Sequence, residues 1–148
     1  MWASEFYVRS GTISIAVMAG ETRNCRIGFS IVYGIGRSPL VLATEVRDLD
    51  GLAGGRIVVD TNCAGQQHET DDARLARCRR HVSPALRVEE LVPLLRRLWH
   101  LHEGPIHHQG RFYRLDLVPT GLVDPPERDV PIYTARSTPP VSVFSVDR

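Results

Sequence analysis

The chain has 148 residues and a mass of 16.6 kDa, enough for one domain that buries roughly two-thirds of its unfolded surface. With 43% hydrophobic and 24% charged residues it is an ordinary globular composition, which excludes a disordered, collagen-like or membrane-spanning chain. A formal charge of +1, from 18 basic and 17 acidic groups interspersed along the chain, gives no field to hold a phosphate backbone or an anionic membrane, so neither nucleic acid nor a membrane is expected as a partner.

All of the basic side chains are arginine, which excludes Schiff-base enzymes, lysine general bases and Walker-type phosphate loops. Cys25, Cys63 and Cys78 are odd in number and form no Cys-x-x-Cys pair, so neither a disulfide framework nor a thiolate zinc site is expected. Charge at Glu5 and Arg9 precedes any apolar signal core, and no run of about 18 apolar residues occurs. A cytoplasmic location follows as the expectation.

In chain order, Thr12 to Glu21 carries Ile13, Val17 and Gly20 on one helical face, with Ile15, Met18 and Ala19 nearby, and Asn24 marks a stop. Arg26 to Tyr33 is a β-rich apolar run bounded by Gly34 and Gly36 and reads as a buried strand. Ser38-Pro39 supplies an N-cap and a first-turn proline for a helix through Leu42, Val46 and Leu49, ended by Gly51, Gly54 and Gly55. Arg56 to Thr61 is a continuous apolar run of the kind found in parallel sheets covered on both faces, and Asn62 to Arg80 is polar and loop-like.

Ser83-Pro84 opens the longest helix, with Val88, Leu91, Val92, Leu95, Leu98, Trp99 and His102 at i, i+3, i+4 spacing. Pro93 inside it removes a backbone hydrogen bond and predicts a kink. Gly104 to Leu117 reads as a hairpin turning at Gln109-Gly110, and Val130 to Ala135 as a last short strand before an irregular tail over 136–148. Strands alternating with helices predict an α/β fold with parallel strands.

The order and punctuation of these elements resemble the bacterial luciferase-like oxidoreductases, and within them the deazaflavin-dependent branch that includes methylenetetrahydromethanopterin reductase. The resemblance rests on Thr22 to Ser30 (TRNCRIGFS), Arg37-Ser38-Pro39, Leu49 to Arg56 (LDGLAGGR), Leu95 to Trp99 (LRRLW), Gly110 to Leu115 (GRFYRL) and Pro131 to Ala135 (PIYTA). It implies a partial (β/α)8 TIM barrel, with covering helices, running from the end of strand two near Trp2 to Glu5 through strand five, as one truncated domain over 1–148. Such a barrel typically needs about 250 residues. The unpaired edges of a partial barrel make self-association, or pairing with a full-length relative, the expectation if the chain is a non-catalytic remnant.

The resemblance also implies chemistry. The cofactor, deazaflavin (coenzyme F420) or FMN with no metal, is implied to rest on a bulge in strand three containing a non-prolyl cis peptide, here matched by Ser30 and Ile31. Hydride transfer to, or monooxygenation of, a small organic substrate is the implied reaction, with the redox chemistry carried by the cofactor. Glu5 matches the acid of an Asp-His or Glu-His pair and is the catalytic candidate, although Phe6 stands where the histidine is expected and cannot move a proton. Asp60 and Asn62 stand where the family usually has glycine, and Asn62 is a candidate amide contact to the cofactor.

From the residues alone the alternatives are plainer: Glu5 as a solvent-exposed terminal carboxylate, Ser30 and Ile31 as strand residues, Asn62 as the start of a polar loop. His100, His102, His107 and His108 cluster around a turn with no acidic or thiolate partner at ligand spacing, so no metal site is expected. Gly34-Ile35-Gly36 lacks the rest of a dinucleotide fingerprint and reads as a loop, and Arg74, Arg77, Arg79 and Arg80, interleaved with Asp71 and Asp72, as a solvated face.

Overall fold

A computed structural model of the chain describes residues 1–5, 9–30, 32, 34–62, 84–121, 125–126 and 128–135. Among these residues the chain forms β1 (Trp2–Ala3), α1 (Gly11–Glu21), β2 (Ile27–Phe29), α2 (Pro39–Leu52), β3 (Ile57–Asn62), α3 (Pro84–Trp99), β4 (Ile106–Gln109), β5 (Arg114–Leu117) and β6 (Ile132–Ala135). Short 3-10 turns lie at Gly34–Gly36 and Leu101–Glu103. Four strands make one sheet in the order β1-β2-β3-β6, every pair parallel, while β4 and β5 form a separate antiparallel hairpin. The polar stretch from Cys63 through Cys78 to Arg80, with its aspartates and arginines, and the tail over 136–148 lie outside the described residues.

The helices cover one face of the sheet. Ile27, Phe29, Ile57 and Val59 project from the strands into a core completed by Ile15 and Ala19 of α1, Leu42 and Val46 of α2, and Leu91, Leu94 and Leu95 of α3. At about 25 cal/mol per Å² of apolar area, each such fully buried side chain contributes roughly 1.5–3 kcal/mol. Trp99 extends the packing by donating its indole N–H to the Ala43 carbonyl at 3.0 Å, which ties the end of α3 to α2.

The local signals mostly act as their chemistry suggests. Ser10 caps α1, its hydroxyl accepting from the Ile13 amide at 3.4 Å, and Pro39 occupies the first turn of α2. Ser38 stands at the N-cap of α2 but its side chain makes no capping bond. The expected inward face of α1 is corrected: Ile13 and Val17 are 68% and 61% exposed, whereas Gly11, Ile15 and Ala19 are buried. The helix is apolar nearly all round, so periodicity does not choose a face, and the small residues at i and i+8 allow the close approach to the sheet. Helix α3 runs continuously through Pro93, whose side chain is exposed.

Glu90 docks the β4–β5 hairpin onto α3. Its carboxylate accepts from the Phe112 amide at 3.0 Å, the Tyr113 amide at 3.0 Å and His108 Nε2 at 2.9 Å. Burial by itself would raise the Glu90 pKa, but the His108 hydrogen bond, the two amides and the imidazole's charge outweigh it and hold the carboxyl below its ordinary value. A depressed carboxylate stabilises the fold above its unfolded pKa, and that contribution is lost as pH falls through the folded value. Glu90→Gln is expected to cost about 1–2 kcal/mol at pH 7 and to flatten the loss of stability below about pH 4.3. Thermal melts of both proteins from pH 7 to pH 3 check this, and parallel pH profiles would contradict it.

Candidate functional site

The carboxyl ends of all four parallel strands lie at one end of the sheet, where an α/β fold places its ligands outside the strand termini. Here β2 departs from regular pairing. Ile27 and Gly28 pair with Ile57 and Val58, but Val32 then bridges Thr61, so β2 advances four residues from Gly28 while β3 advances three from Val58. The extra residue, between Gly28 and Val32, makes a bulge in β2 in the stretch that contains Ser30. Ser30 stays tied to β1, its amide donating to the Ala3 carbonyl at 2.8 Å, and beyond the bulge the Val32 amide donates to the Asp60 carbonyl at 3.0 Å.

The chain after the bulge is held in place by close packing. The Gly34 amide donates to the Val32 carbonyl at 2.7 Å. A Cβ at Gly34 would lie 2.5 Å from Thr61 Oγ1 and 3.0 Å from a Leu91 methyl, so only glycine lets this turn settle against β3 and α3. Thr61 is fully buried and its hydroxyl has no hydrogen-bond partner among the described residues.

Strand alternation divides the remaining side chains between two faces. On the face away from the helices, Met1, Trp2, Arg26, Gly28, Val58 and Tyr133 line a cleft of about 300 Å³. Trp2 is 56% exposed and lies across Gly28, where a Cβ would come within 2.3 Å of its ring. Asp60, two residues beyond Val58, falls on this same face and pairs in register with Tyr133. Desolvation by burial raises the Asp60 pKa above the ordinary aspartate value.

Of the residues singled out from sequence, Ser30 sits half-buried at the bulge and Asn62 ends β3 in register with Ala135, one residue beyond the Val32–Thr61 bridge. Ile31 and Phe6 lie outside the described residues. Glu5 is not the exposed terminal carboxylate that its position alone suggests: its side chain is 7% exposed, and its carboxylate pairs with the Arg37 guanidinium, which also pairs with Glu45 of α2. Its Cβ lies where it would touch a side chain at Gly11 of α1, 3.2 Å away, which places it on the helix side rather than in the cleft. The bulge and Asn62 are therefore brought together, and Glu5 is not with them.

Sequence spacing missed three things. Arg37 reads as part of a helix start, yet it reaches across 32 residues to Glu5. The aromatic walls of the cleft, Trp2 and Tyr133, lie at opposite ends of the sheet order, and only their alternation with buried neighbours marks their face. The histidine turn does have acidic partners: His100 meets Glu103 at 3.3 Å and Asp129 at 3.1 Å, with His102 alongside. Both ring nitrogens of His100 thus already face carboxylates, which ties the end of α3 to the segment leading into β6.

Comparison with known proteins accounts for this geometry. The chain matches the sequence profile of the luciferase-like monooxygenases over residues 1–143. It is 26% identical, over 93% of its length and 40% of the relative's, to a Mycobacterium tuberculosis protein named as a coenzyme F420-dependent oxidoreductase. It is 24% identical, over 99% of its length and 41% of the relative's, to the oxygenase component of a flavin-dependent trigonelline monooxygenase of Acinetobacter baylyi. Its fold superposes with a TM-score of 0.70 on the coenzyme F420-dependent tetrahydromethanopterin reductase of Methanopyrus kandleri, at 19% identity over 93% of this chain and 42% of that one. The chain spans about 40% of the length of the curated relatives it matches. Its four parallel strands and covering helices are accordingly part of a (β/α)8 barrel architecture, as the resemblance implied. With that fold, and with a family match running through nearly all of its residues, the chain belongs to the luciferase-like monooxygenase family.

Proposed function

We propose that residues 1–148 act as one domain carrying part of the cofactor-facing mouth of a flavin- or deazaflavin-dependent oxidoreductase that works on a small organic substrate. The bulge in β2, at the carboxyl end of a parallel sheet of this family, is the observation that carries the reading. The open face of the sheet beside the bulge suits the ring of such a cofactor in chemistry: it is apolar at Gly28 and Val58, Trp2 and Tyr133 offer aromatic faces, and the cleft of about 300 Å³ that they line with Met1 and Arg26 extends from there toward the amino-terminal half of the strands. Bound there, the cofactor supplies the hydride or electrons.

The chain's own residues orient it. Ser30 supports the ring from the bulge, and Ile31 and Asn62 are the further cofactor contacts that the family resemblance implies. Glu5 acts at one remove: through Arg37 it locks the end of β1 to the start of α2, so it is a positioning residue. Arg26, at the amino-terminal end of the cleft, offers the positive charge an anionic tail would meet.

A second reading is favoured by the sheet edges. Among the described residues β1 pairs only with β2 and β6 only with β3, and the cleft face exposes Met1, Trp2 and Tyr133. Open edges and apolar exposure of this kind favour association, so the mouth is complete only when further strands, from a second copy or a full-length relative, pair with these.

Titration of the folded chain, its mass fixed by sedimentation, with FMN and with coenzyme F420 tests the first reading. Saturable binding in the micromolar range is expected. Absence of binding by a folded monomer, with binding restored in an assembly, would replace the first reading by the second.

A further inference from the structure

Asp60 is out of keeping with its place in the sheet. It lies in β3, which has β2 on one side and β6 on the other, where β-branched and aromatic residues are favoured and aspartate is among the most depleted. It faces the cleft side with Val58 and Tyr133 rather than water beyond a strand end. No ion pair or hydrogen bond among the described residues reaches its carboxylate, and burial is the one cause acting on its pKa, in the upward direction. The charged and titratable groups on this face, among the described residues, are Tyr133 beside it on β6 and, at the far end of the cleft, Arg26 before β2 and the Met1 ammonium, which donates to the Arg26 carbonyl at 2.6 Å. The helices lie on the other face. A carboxylate with no partner among the described residues, in a strand paired on both sides, breaks with local preference, and such breaks gather at functional positions.

Resting on the flavin-type reading of this mouth, we propose that Asp60 is its proton-taking group: when the ring of the cofactor covers the cleft face, the Asp60 carboxylate binds a proton from solvent and becomes a neutral acid facing the ring. One physical cause drives the change: the ring displaces water from the carboxylate, which favours the neutral form. No redox step is involved, since one O–H bond forms on the carboxylate and the proton comes from water. The neutral acid then offers a hydrogen-bond donor where the carboxylate offered none. Binding is therefore proton-linked, and its apparent affinity falls as pH rises through the range between the free and the ring-covered pKa of Asp60.

Calorimetric titration of the purified chain with FMN and with coenzyme F420, at one pH in two buffers of different ionisation heat, reads the proton directly. The wild type is expected to take up as much as about one proton per site filled, and Asp60→Asn to bind with no uptake and no pH dependence. The same variant is expected to melt about 2–4 °C above the wild type at pH 7, because it removes an uncompensated charge. Binding without proton uptake, or uptake that survives in Asp60→Asn, overturns the proposal. So does a lower melting temperature of Asp60→Asn at neutral pH, which would make the carboxylate structural. If the folded wild type binds neither cofactor, the reading of the mouth fails and the proposal with it. The melting comparison, which needs no cofactor, still reports separately whether Asp60 is a strained charge.

Discussion

Replacing Arg56 by alanine is expected to lower the stability of the chain by about 3 kcal/mol. The guanidinium gathers the carboxyl ends of two helices and the turn before β2. It donates to the Ala53 carbonyl at the end of α2 at 2.6 Å, to Ala19 and Thr22 carbonyls at the end of α1 at 3.3 and 3.0 Å, to the Thr22 hydroxyl at 3.0 Å and to the Cys25 carbonyl at 3.0 Å. Helix carboxyl ends leave carbonyls without amide partners and carry partial negative charge, so a planar cation with several donors suits them. Alanine would leave these acceptors to partial hydration. Arg56→Lys should recover less than half of the loss, since a point ammonium does not reproduce the fork. Thermal and urea denaturation check this, with a fall in melting temperature of about 6–12 °C expected for Arg56→Ala. A loss below about 1 kcal/mol would show that water serves the carbonyls as well.

The second expected result concerns Glu5. Arg37→Met should cost about 2 kcal/mol, because it removes a cation paired with the buried Glu5 carboxylate, whereas Glu5→Gln should cost about half as much. The pair is partly exposed on the arginine side, which keeps the figure below that of a fully buried ion pair. The double variant Glu5→Gln, Arg37→Met is expected to be more stable than Arg37→Met alone, as a double-mutant cycle would show. In the same series cofactor affinity should move with stability. If Glu5→Gln abolished cofactor binding at unchanged stability, Glu5 would be a cofactor contact and its assignment as a positioning residue would be wrong.

These two arginines also show what the amino-acid sequence makes legible. Alternation of strands and helices is readable because glycine and proline punctuate it: Gly54 and Gly55 adopt positive φ after α2, and Asp50, buried just before them, accepts from the Ile57 amide at 3.1 Å. The LDGLAGGR segment that carries much of the family resemblance is thus a structural junction. Its aspartate starts β3 and its arginine closes α1 and α2, and neither reaches the mouth. The parallel pairing was legible in the continuous apolar run at Arg56 to Thr61 and in the alternation of strands and helices, whereas the position of the bulge followed from the resemblance, because a one-residue register shift leaves no mark in hydrophobic periodicity. The inward face of α1 was hidden by its apolar residues on all sides. Contacts such as Arg37 with Glu5 or His100 with Asp129 join residues 32 and 29 positions apart and emerge only when the sheet closes.

The proposed site divides in the same way. Ser30, Asn62 and Asp60 were all visible as departures or matches within one short run each, and the sheet assembles them at one end. The cleft was not visible, because its walls come from β1 and β6, the first and last strands of the sheet order.

The central claim is that the helix-free face beside the β2 bulge takes a flavin-type ring, and the titration with FMN and coenzyme F420 tests it most directly when read residue by residue as amide shifts of the 15N-labelled chain. The account predicts saturable shifts concentrated at Gly28, Ser30, Val58, Asp60 and Tyr133, with Ile15, Leu42 and Leu91 on the helix side unmoved. Shifts confined to the helix side, or none at all in a folded and assembled sample, would contradict it.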